Sequence, residues 1–295
     1  MYLICMKGYY NMDLTSPRTI RNIQEQFGFT FKKGLGQNFL TARNILEEIV
    51  DAAEIESGVI EVGPGFGVLT SELAQNSDKV VTIEIDERLI DVLDYTLAEY
   101  DNVKIINEDI LKLDLKKVID DEFKGEKVSI AANLPYYITT PIITKLLEEK
   151  LPIKNIVVMV QKEVAERMSA KPSTKDYGAI TVLCQYYTEP SIVANVPASL
   201  FVPPPKVDSA VLKLKILDKP SVEVKDEGVF FRVVKAAFSQ RRKTLLNCLS
   251  ANFPIPKDEI STLLESIGIA PSRRGETLSL EEFANIADTL LQKIK

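Results

Sequence analysis

The residues with the clearest chemical potential form a glycine-rich turn, Glu61–Gly67. The turn has the spacing Gly-x-Gly-x-Gly with Pro64 inside it, which departs from the Gly-x-Gly-x-x-Gly pattern of dinucleotide-binding proteins. Glycine allows a sharp turn and lets a ligand approach the bare backbone. Proline removes an N–H donor where a pyrophosphate would need one, so the turn disfavours NAD. A nucleoside ligand without phosphates, such as S-adenosylmethionine, fits this pattern better.

Two acidic residues follow the turn at the ends of the next two apolar segments. Glu84 closes the segment 79–86, and Asp109 closes the segment 103–110. The Glu84 carboxylate can accept hydrogen bonds from both ribose hydroxyls, and the Asp109 carboxylate can accept a hydrogen bond from the adenine amine. One such acid alone is more often a turn former or a helix cap. The ordered combination with the glycine turn predicts an S-adenosylmethionine site.

A fourth apolar segment ends in the tetrapeptide Asn133-Leu134-Pro135-Tyr136. In isolation it would be a proline turn with Asn133 as a cap. After a cofactor site it suits methylation of an adenine amine, whose lone pair is delocalised into the ring. Acceptors such as the Asn133 side-chain oxygen and the Leu134 carbonyl can bind the amine hydrogens and favour a pyramidal nitrogen. Tyr136 offers a face against which an unstacked base can lie.

The composition excludes several other chemistries. The 295-residue chain contains no histidine and no tryptophan, so Ser-His-Asp and Cys-His nucleophiles and imidazole proton shuttles are excluded. Its three cysteines lie far apart and indicate buried thiols in a reducing compartment, without a disulfide scaffold or a metal site. No apolar run approaches the length of about 18 residues that spans a bilayer. We therefore expect a cytoplasmic protein without a membrane segment.

The charge is unevenly distributed along the chain. The formal net charge is −6, but residues 44–130 carry 22 acidic against 8 basic side chains. Two stretches, 16–43 and 229–250, are strongly basic, and the second contains no acid. A basic run is often only a solvated face. Two of them flanking an acidic domain make a phosphate-binding surface plausible, so the net charge does not exclude RNA.

The elements that must position these residues alternate between apolar strands and amphipathic helices from about residue 58. This order predicts a parallel, doubly wound sheet with both faces covered, and hence an α/β fold. A proline-rich connection over 196–208 joins two later strands, and it is expected to be rigid. After a polar linker, four helices follow, the last opened by the capping box Ser279-x-x-Glu282. We predict an N-terminal extension over 1–30, a Rossmann-like domain over 31–217 and an all-helical domain over 218–295.

Taken together, the motifs resemble the rRNA adenine dimethyltransferases of the KsgA/RsmA family over about residues 30–290. The resemblance is carried by Lys33–Leu40 (KGLGQNFL), Glu61–Gly67 (EVGPGFG), Glu84, Asp109, Asn133–Tyr136 (NLPY), Phe201–Ser209 (FVPPPKVDS) and Phe238–Thr244 (FSQRRKT). The order of these motifs is highly specific. It implies a Rossmann-like methyltransferase domain that uses S-adenosyl-L-methionine, followed by a small helical domain.

The resemblance also implies a role for individual residues. The cofactor would be bound by Gln37, Asn38, Leu40, Gly63, Gly65, Glu84, Asp109 and Asn133. The catalytic set would be Asn133, Leu134, Tyr136 and Phe201, with Tyr136 and Phe201 flanking the target base, although an aromatic before a proline turn ordinarily packs inward. RNA would be bound by Lys32, Lys33, Arg241, Arg242 and Lys243, although the last three would ordinarily form a solvated helix face. No metal is expected.

The implied reaction is dimethylation of two adjacent adenines in the last hairpin of small-subunit (16S) rRNA during late ribosome assembly. The partners would be the small-subunit precursor and its rRNA, and we expect a monomer. Two alternatives stay open. One is an Erm-type dimethylase of large-subunit (23S) rRNA, which shares the donor site and the tetrapeptide. The other is a non-catalytic rRNA-binding assembly factor on the same fold, which the intact Asn133, Tyr136, Glu84 and Asp109 argue against.

Overall fold

A computed structural model describes residues 12–29 and 38–294, which form two compact units. Of the described residues, the first unit contains those up to Lys162 together with Val193–Lys213. The second contains Glu163–Ile192 and the chain from Leu214 onwards. Both units are therefore discontinuous along the chain, whereas the domains predicted from the sequence are continuous. The predicted boundaries at residues 30 and 217 stay predictions.

The strands of the described residues form one large sheet and one short ribbon. They are β1 (Phe39–Leu40), β2 (Val59–Val62), β3 (Val80–Glu84), β4 (Val103–Asn107), β5 (Val128–Asn133), β6 (Ile153–Gln161), β7 (Thr188–Val196), β8 (Phe201–Val202) and β9 (Ser209–Ile216). The seven-stranded sheet has the order β4-β3-β2-β5-β6-β9-β7, and β1 pairs with β8 in the ribbon. The β2–β3, β3–β4, β2–β5 and β5–β6 pairings are parallel. The predicted α/β fold class is confirmed.

The first unit also contains helices, the last four of which join the parallel strands of the sheet. They are α1 (Pro17–Gln26), α2 (Arg43–Ala53), α3 (Val68–Gln75), α4 (Ile90–Thr96), α5 (Leu115–Phe123) and α6 (Thr139–Glu148). All four residues of β2 and all five of β3 are buried, because a parallel sheet is covered on both faces. In register, Ile60 lies between Val81 of β3 and Ile130 of β5. This buried centre fixes where the carboxyl ends of the strands lie.

The second unit is mainly helical. Its helices are α7 (Lys162–Met168), α8 (Ala179–Tyr187), α9 (Glu227–Ala237), α10 (Leu245–Asn252), α11 (Lys257–Ser266) and α12 (Leu280–Ile294), with Lys162 itself assigned to the first unit. Its core is built on fully buried aromatic rings, among them Tyr186, Phe230 and Phe283. The predicted capping box of α12 is confirmed, because Ser279 N–H donates to Glu282 Oε2 at 2.9 Å and Glu282 N–H donates to Ser279 Oγ at 3.2 Å.

Two local features differ from the sequence-based expectations. The segment after β6 contains the helices α7 and α8, which the apolar pattern did not reveal. The proline-rich connection, expected only to be a rigid link, contains a short 3₁₀ turn at Ala198–Leu200 and then β8. Phe39 pairs with Val202 and Leu40 with Phe201, so this connection forms a ribbon with a segment far away in sequence. Strands of two residues carry no periodicity that a sequence pattern could reveal.

Candidate active site

A cleft lies at the carboxyl ends of the adjacent strands β4, β3, β2 and β5, which is where ligands bind to open parallel sheets. It encloses about 1030 Å³ of empty space, counting its open mouth. The predicted site residues that line it are Asn38, Leu40, Gly63, Gly65, Glu84, Asp109 and Asn133. The residues that line it without having been assigned a role include Phe39, Glu61, Ile85 and Tyr137. The fold thus gathers seven separately predicted side chains and turns around one space.

The glycine turn has a conformation that depends on glycine at Gly65. Its φ is +59°, and a Cβ atom there would lie 2.7 Å from Cε1 of Phe39. A side chain at this position would therefore be strained and would collide with the ring. The turn is also tied to β3 and closed on itself, since Gly63 N–H donates to the Ile83 carbonyl and Gly67 N–H to the Pro64 carbonyl, both at 2.9 Å. The backbone of the turn is thus held at the edge of the cleft.

Two buried carboxyl groups flank the turn. Glu61 in β2 is 1% exposed, and its Oε2 accepts a hydrogen bond of 2.5 Å from Thr70 Oγ1. Burial raises the pKa of Glu61 to about 7, against the lowering effect of the Thr70 hydrogen bond. Burial likewise raises the pKa of Glu84, at the end of β3, to about 7, while the backbone N–H of Asp86 opposes the rise by donating to its Oε1 at 2.8 Å. The cleft therefore holds two acids that take up protons near neutral pH.

Asp109 lies two residues beyond the end of β4 and lines the same cleft. Its carboxylate accepts a backbone hydrogen bond from Leu111 at 3.0 Å, and Lys112 Nζ lies 3.7 Å from its Oδ2. The carboxylate therefore serves as a turn former as well as a wall of the cleft. The loop is joined to β3 by Asn107, whose Nδ2 donates to the Glu84 carbonyl at 2.7 Å.

Asn133 is the last residue of β5, and its side chain is held by the backbone of a distant segment. Its Nδ2 donates to the Asn38 carbonyl oxygen at 2.9 Å. The next residue, Leu134, is buried and anchors the chain through its N–H, which donates to the Met159 carbonyl of β6 at 3.1 Å. One end of the Asn133 amide is therefore fixed by the protein.

The two adjacent tyrosines have different environments. Tyr136 is half-buried, its Oη lies 2.8 Å from Ser209 Oγ, and burial raises the pKa of its phenol. Tyr137 is 58% exposed and lines the cleft, which Tyr136 does not. The structure thus presents an aromatic ring at the mouth of the cleft one residue after the predicted one.

Phe201, predicted to flank the base, is only 2% exposed and packs in the core cluster of the first unit. It does not line the cleft, and it pairs with Leu40 in the β1–β8 ribbon. The inward packing that is ordinary for such an aromatic is what the structure shows. The predicted base contact of Phe201 stays a prediction.

The predicted RNA-binding residues of the second unit lie in an exposed turn before α10. Arg241, Arg242 and Lys243 are all exposed. Arg241 Nη2 donates to the Lys175 carbonyl at 2.7 Å, and its Nε lies 3.7 Å from Glu276 Oε2. Arg241 is thus partly engaged within the unit. The helix begins only at Leu245, after its cap Thr244, so these three residues do not form a helix face.

Three predicted residues, Lys32, Lys33 and Gln37, lie outside the described residues. Within 12–29 and 38–294, no group of three or more Cys, Asp or Glu side chains is arranged to hold a metal ion. Over the same ranges, none of the helices combines the length and the apolar character needed to cross a membrane.

Among the cleft residues that received no role from the sequence are Glu61, Tyr137 and Phe39. Glu61 opens the glycine turn, and an acid inside an apolar strand was the available signal. Tyr137 follows the tetrapeptide, and nothing in its spacing distinguishes it from Tyr136. Phe39 stacks on the fully buried Phe66 with ring centroids 4.3 Å apart, a contact that no sequence pattern reveals.

Comparison with known proteins places the chain among rRNA-modifying enzymes. Residues 28–292 match the family described as Ribosomal RNA adenine dimethylase. Proteins named Ribosomal RNA small subunit methyltransferase A, from Bacillus mycoides and Bacillus cereus, are 54% identical over 285 residues, which cover 95% of this chain and 98% of theirs.

Solved structures agree with this assignment. A dimethyladenosine transferase from Plasmodium falciparum superposes with a TM-score of 0.70 at 30% identity, covering 84% of this chain and 95% of its own. The 23S rRNA methyltransferase ErmE superposes with a TM-score of 0.65 at 28% identity, covering 86% of this chain and 100% of its own.

Proposed function

Because this chain belongs to the ribosomal RNA adenine dimethylase family, we propose that it dimethylates the exocyclic amines of two adjacent adenines in the 3′-terminal hairpin of small-subunit (16S) rRNA, using S-adenosyl-L-methionine, in late ribosome assembly. The observation that carries the proposal is the single cleft that joins Glu84 and Asp109 to Asn133. Glu84 and Asp109 suit a nucleoside cofactor, and Asn133 suits an amine that accepts a methyl group. The 54% identity to small-subunit methyltransferases supports the choice of rRNA.

The cleft fits a nucleoside-containing cofactor. Glu84 presents a carboxyl group at the end of β3, where the two ribose hydroxyls can donate to it, and Asp109 lies at the end of the next strand. Ile85, next to Glu84, lines the cleft although it is 55% exposed. A flat adenine ring would cover this apolar surface, which water now contacts. Gly63 and Gly65 leave bare backbone for the remaining part of the cofactor.

Asn133 is proposed to orient the target amine. Bound S-adenosylmethionine supplies a methyl group made electrophilic by the sulfonium charge. The amine hydrogens can donate to the Asn133 Oδ1 and to the Leu134 carbonyl, which favours a pyramidal nitrogen with its lone pair localised. Because the amine proton becomes acidic only as the new N–C bond forms, no histidine or other strong base is needed beforehand. Positioning in the cleft thus supplies a large part of the rate.

Two tyrosines are proposed to hold the target base. A base reaches the cleft only when it leaves its stack, and an aromatic face replaces part of the lost stacking energy. Tyr136 is held by Ser209 and does not line the cleft, so its proposed contact with the base rests on the family motif. Tyr137 contributes an exposed ring at the mouth of the cleft, where an incoming base meets it first.

The second unit is proposed to bind the rRNA backbone. Arg242 and Lys243 are exposed, and Arg241 bonds to the backbone of Lys175, another exposed basic residue. Basic side chains from two segments are thereby brought to one surface, and neutralising several phosphates makes affinity strongly dependent on salt. We propose this surface as a contact with the small-subunit precursor; RNA binding by Lys32 and Lys33 stays a prediction.

The test is methyl transfer to purified subunits. Small subunits that lack the two dimethyladenines and, separately, large subunits are incubated with the protein and radiolabelled S-adenosylmethionine, and the modified bases are mapped by primer extension. We expect four methyl groups per small subunit, on two adjacent adenines of the last hairpin. Labelling of large subunits only would instead support an Erm-type enzyme. Binding of small subunits without any transfer would support a non-catalytic assembly factor.

A further inference from the structure

We propose that Phe39 is a positioning residue for methyl transfer. Its ring anchors β1, so that the Asn38 carbonyl holds the amide nitrogen of Asn133 and leaves the amide oxygen for the target amine. The inference rests on the proposed function, because the role of Asn133 comes from there. The contacts that support it lie within the first unit.

The orientation of the Asn133 side chain is set by its hydrogen-bond partners. A primary amide has a donor end and an acceptor end of nearly the same shape, so its partners decide which end points where. A carbonyl oxygen only accepts hydrogen bonds, and the one on Asn38 lies 2.9 Å from Asn133 Nδ2. The nitrogen must therefore face Asn38. The oxygen then points away from this contact and can accept from a substrate amine.

The position of the Asn38 carbonyl depends on the strand that follows it. Asn38 directly precedes β1, whose Phe39 and Leu40 pair with Val202 and Phe201 of β8. The ribbon continues at Thr41, whose N–H and Oγ1 both donate to the Leu200 carbonyl, at 2.9 Å and 2.8 Å. The segment that orients Asn133 is thus held by strand pairing on its C-terminal side.

The Phe39 side chain connects β1 to the glycine turn. The Phe39 ring stacks on the Phe66 ring, with centroids 4.3 Å apart and an angle of 21° between the planes. The rings of Phe29 and Phe66 form a T-shaped pair with centroids 5.3 Å apart. The Phe39 ring also fills the space beside Gly65 that a Cβ atom would need. Phe39 therefore ties β1 to the glycine turn of the cofactor site. One side chain links the place where the cofactor binds to the amide that orients the acceptor.

The experiment is a double-mutant cycle on kcat at saturating cofactor and saturating small subunits. Phe39→Leu keeps an apolar side chain but loses the flat stack, and Phe123→Leu is the matched control because Phe123 is also 5% exposed and lies at the end of α5. We expect Phe39→Leu to lower kcat about tenfold, since small misplacements of reacting groups are costly. In an Asn133→Ala background the same change should lower kcat less than twofold, because its target is gone. Phe123→Leu should change kcat less than twofold.

An equal loss from Phe39→Leu in both backgrounds would show that Phe39 acts independently of Asn133, and the proposal would fall. A loss confined to the KM for the cofactor would overturn it as well. A second readout does not need activity. In ¹⁵N spectra, the Asn133 side-chain amide signals, identified by their absence in Asn133→Ala, should shift and exchange faster with solvent in Phe39→Leu.

Unchanged amide signals in Phe39→Leu would refute the proposed link between Phe39 and the Asn133 side chain. If wild-type protein methylated no ribosomal subunit, the proposed function would fail, while the spectra would still decide whether Phe39 holds Asn133.

Discussion

The two sides of the cleft are built differently. The donor wall, formed by the glycine turn with Glu61 and Glu84, is enclosed, and its two carboxyl groups are 1% and 6% exposed. The acceptor wall, formed by Asn133 and Tyr137, is open, and Tyr137 is 58% exposed. On the donor wall, hydrogen bonds from Thr70 and from the Asp86 backbone hold the acids in place. On the acceptor wall, one end of the Asn133 amide is held by the Asn38 carbonyl, while the Tyr137 ring is exposed.

This difference matches the ligands proposed for each wall. A small cofactor is bound with the least loss of entropy by a wall that is already ordered. An RNA base arrives as part of a much larger partner, so the partner itself can complete an open wall. The comparison therefore predicts that changes on the donor wall affect the cofactor-free protein, whereas changes on the acceptor wall appear only with RNA.

The largest effect is expected from Asn133→Ala, which removes the amide from the acceptor wall. Methyl transfer to small subunits should fall about 10²–10³-fold, as for the loss of one preorganised hydrogen-bonding group that acts in the transition state. Single-turnover transfer of radiolabelled methyl groups measures this loss. Binding of small subunits, measured by co-sedimentation, should survive.

A matched control is Asn285→Ala in α12 of the second unit, which should leave transfer unchanged. Unchanged turnover in Asn133→Ala would show that Asn133 does not orient the target amine, and the acceptor wall would then lack its proposed catalytic residue.

The buried acid Glu61 of the donor wall should make the stability of the cofactor-free protein depend on pH. Burial raises the pKa of Glu61 from 4.5 to about 7 in the folded protein. Below the unfolded pKa both states are protonated, so this carboxyl group costs nothing there. As pH rises towards 7 the unfolded chain ionises first, and the free energy of unfolding falls. For one group this loss reaches about 3 kcal/mol.

Glu61→Gln removes that titration. Between pH 5 and pH 8 the cofactor-free variant should lose about 2–3 kcal/mol less of its free energy of unfolding than the wild type does. Urea unfolding at the two pH values measures it, with the exposed Glu148→Gln as control. Parallel pH profiles for Glu61→Gln and the wild type would show that the pKa of Glu61 is not raised in the folded protein.

The smallest effect is expected at the mouth of the acceptor wall. Tyr137→Ala should raise the KM for small subunits about tenfold, because stacking on an aromatic side chain contributes roughly 1–3 kcal/mol per base. The Kd for S-adenosylmethionine, measured by calorimetry, should stay the same. Tyr137→Phe should restore the wild-type KM, since the ring and not the hydroxyl makes the contact.

Tyr95 is a matched control, since it is 43% exposed on α4 and packs against Phe27. Tyr95→Ala should leave both constants unchanged. If Tyr137→Ala weakened cofactor binding instead, the division of the cleft into two walls would be wrong at this position.

Much of the cofactor side of the cleft could be predicted from the sequence. The glycine turn follows β2, Glu84 ends β3 and Asp109 comes two residues after β4, and parallel strands bring such positions to one edge of the sheet. Phe201 shows the limit, because the same motif that named it says nothing about whether its ring faces the cleft or the core. Tyr137 shows the converse, since its exposure depends on how the chain turns between β5 and α6.

The fold class, the family and the order of the predicted cofactor-binding residues could be inferred from the amino-acid sequence alone, because they depend on local periodicity and on motifs contiguous in the chain. Which side chains and backbone groups contact one another becomes visible only in the folded protein. Phe39 contacts Phe66, Asn38 contacts Asn133, and Leu40 pairs with Phe201. These contacts join residues from 27 to 161 positions apart. No local pattern encodes such a separation, because packing and hydrogen bonding depend on distance in space and not along the chain.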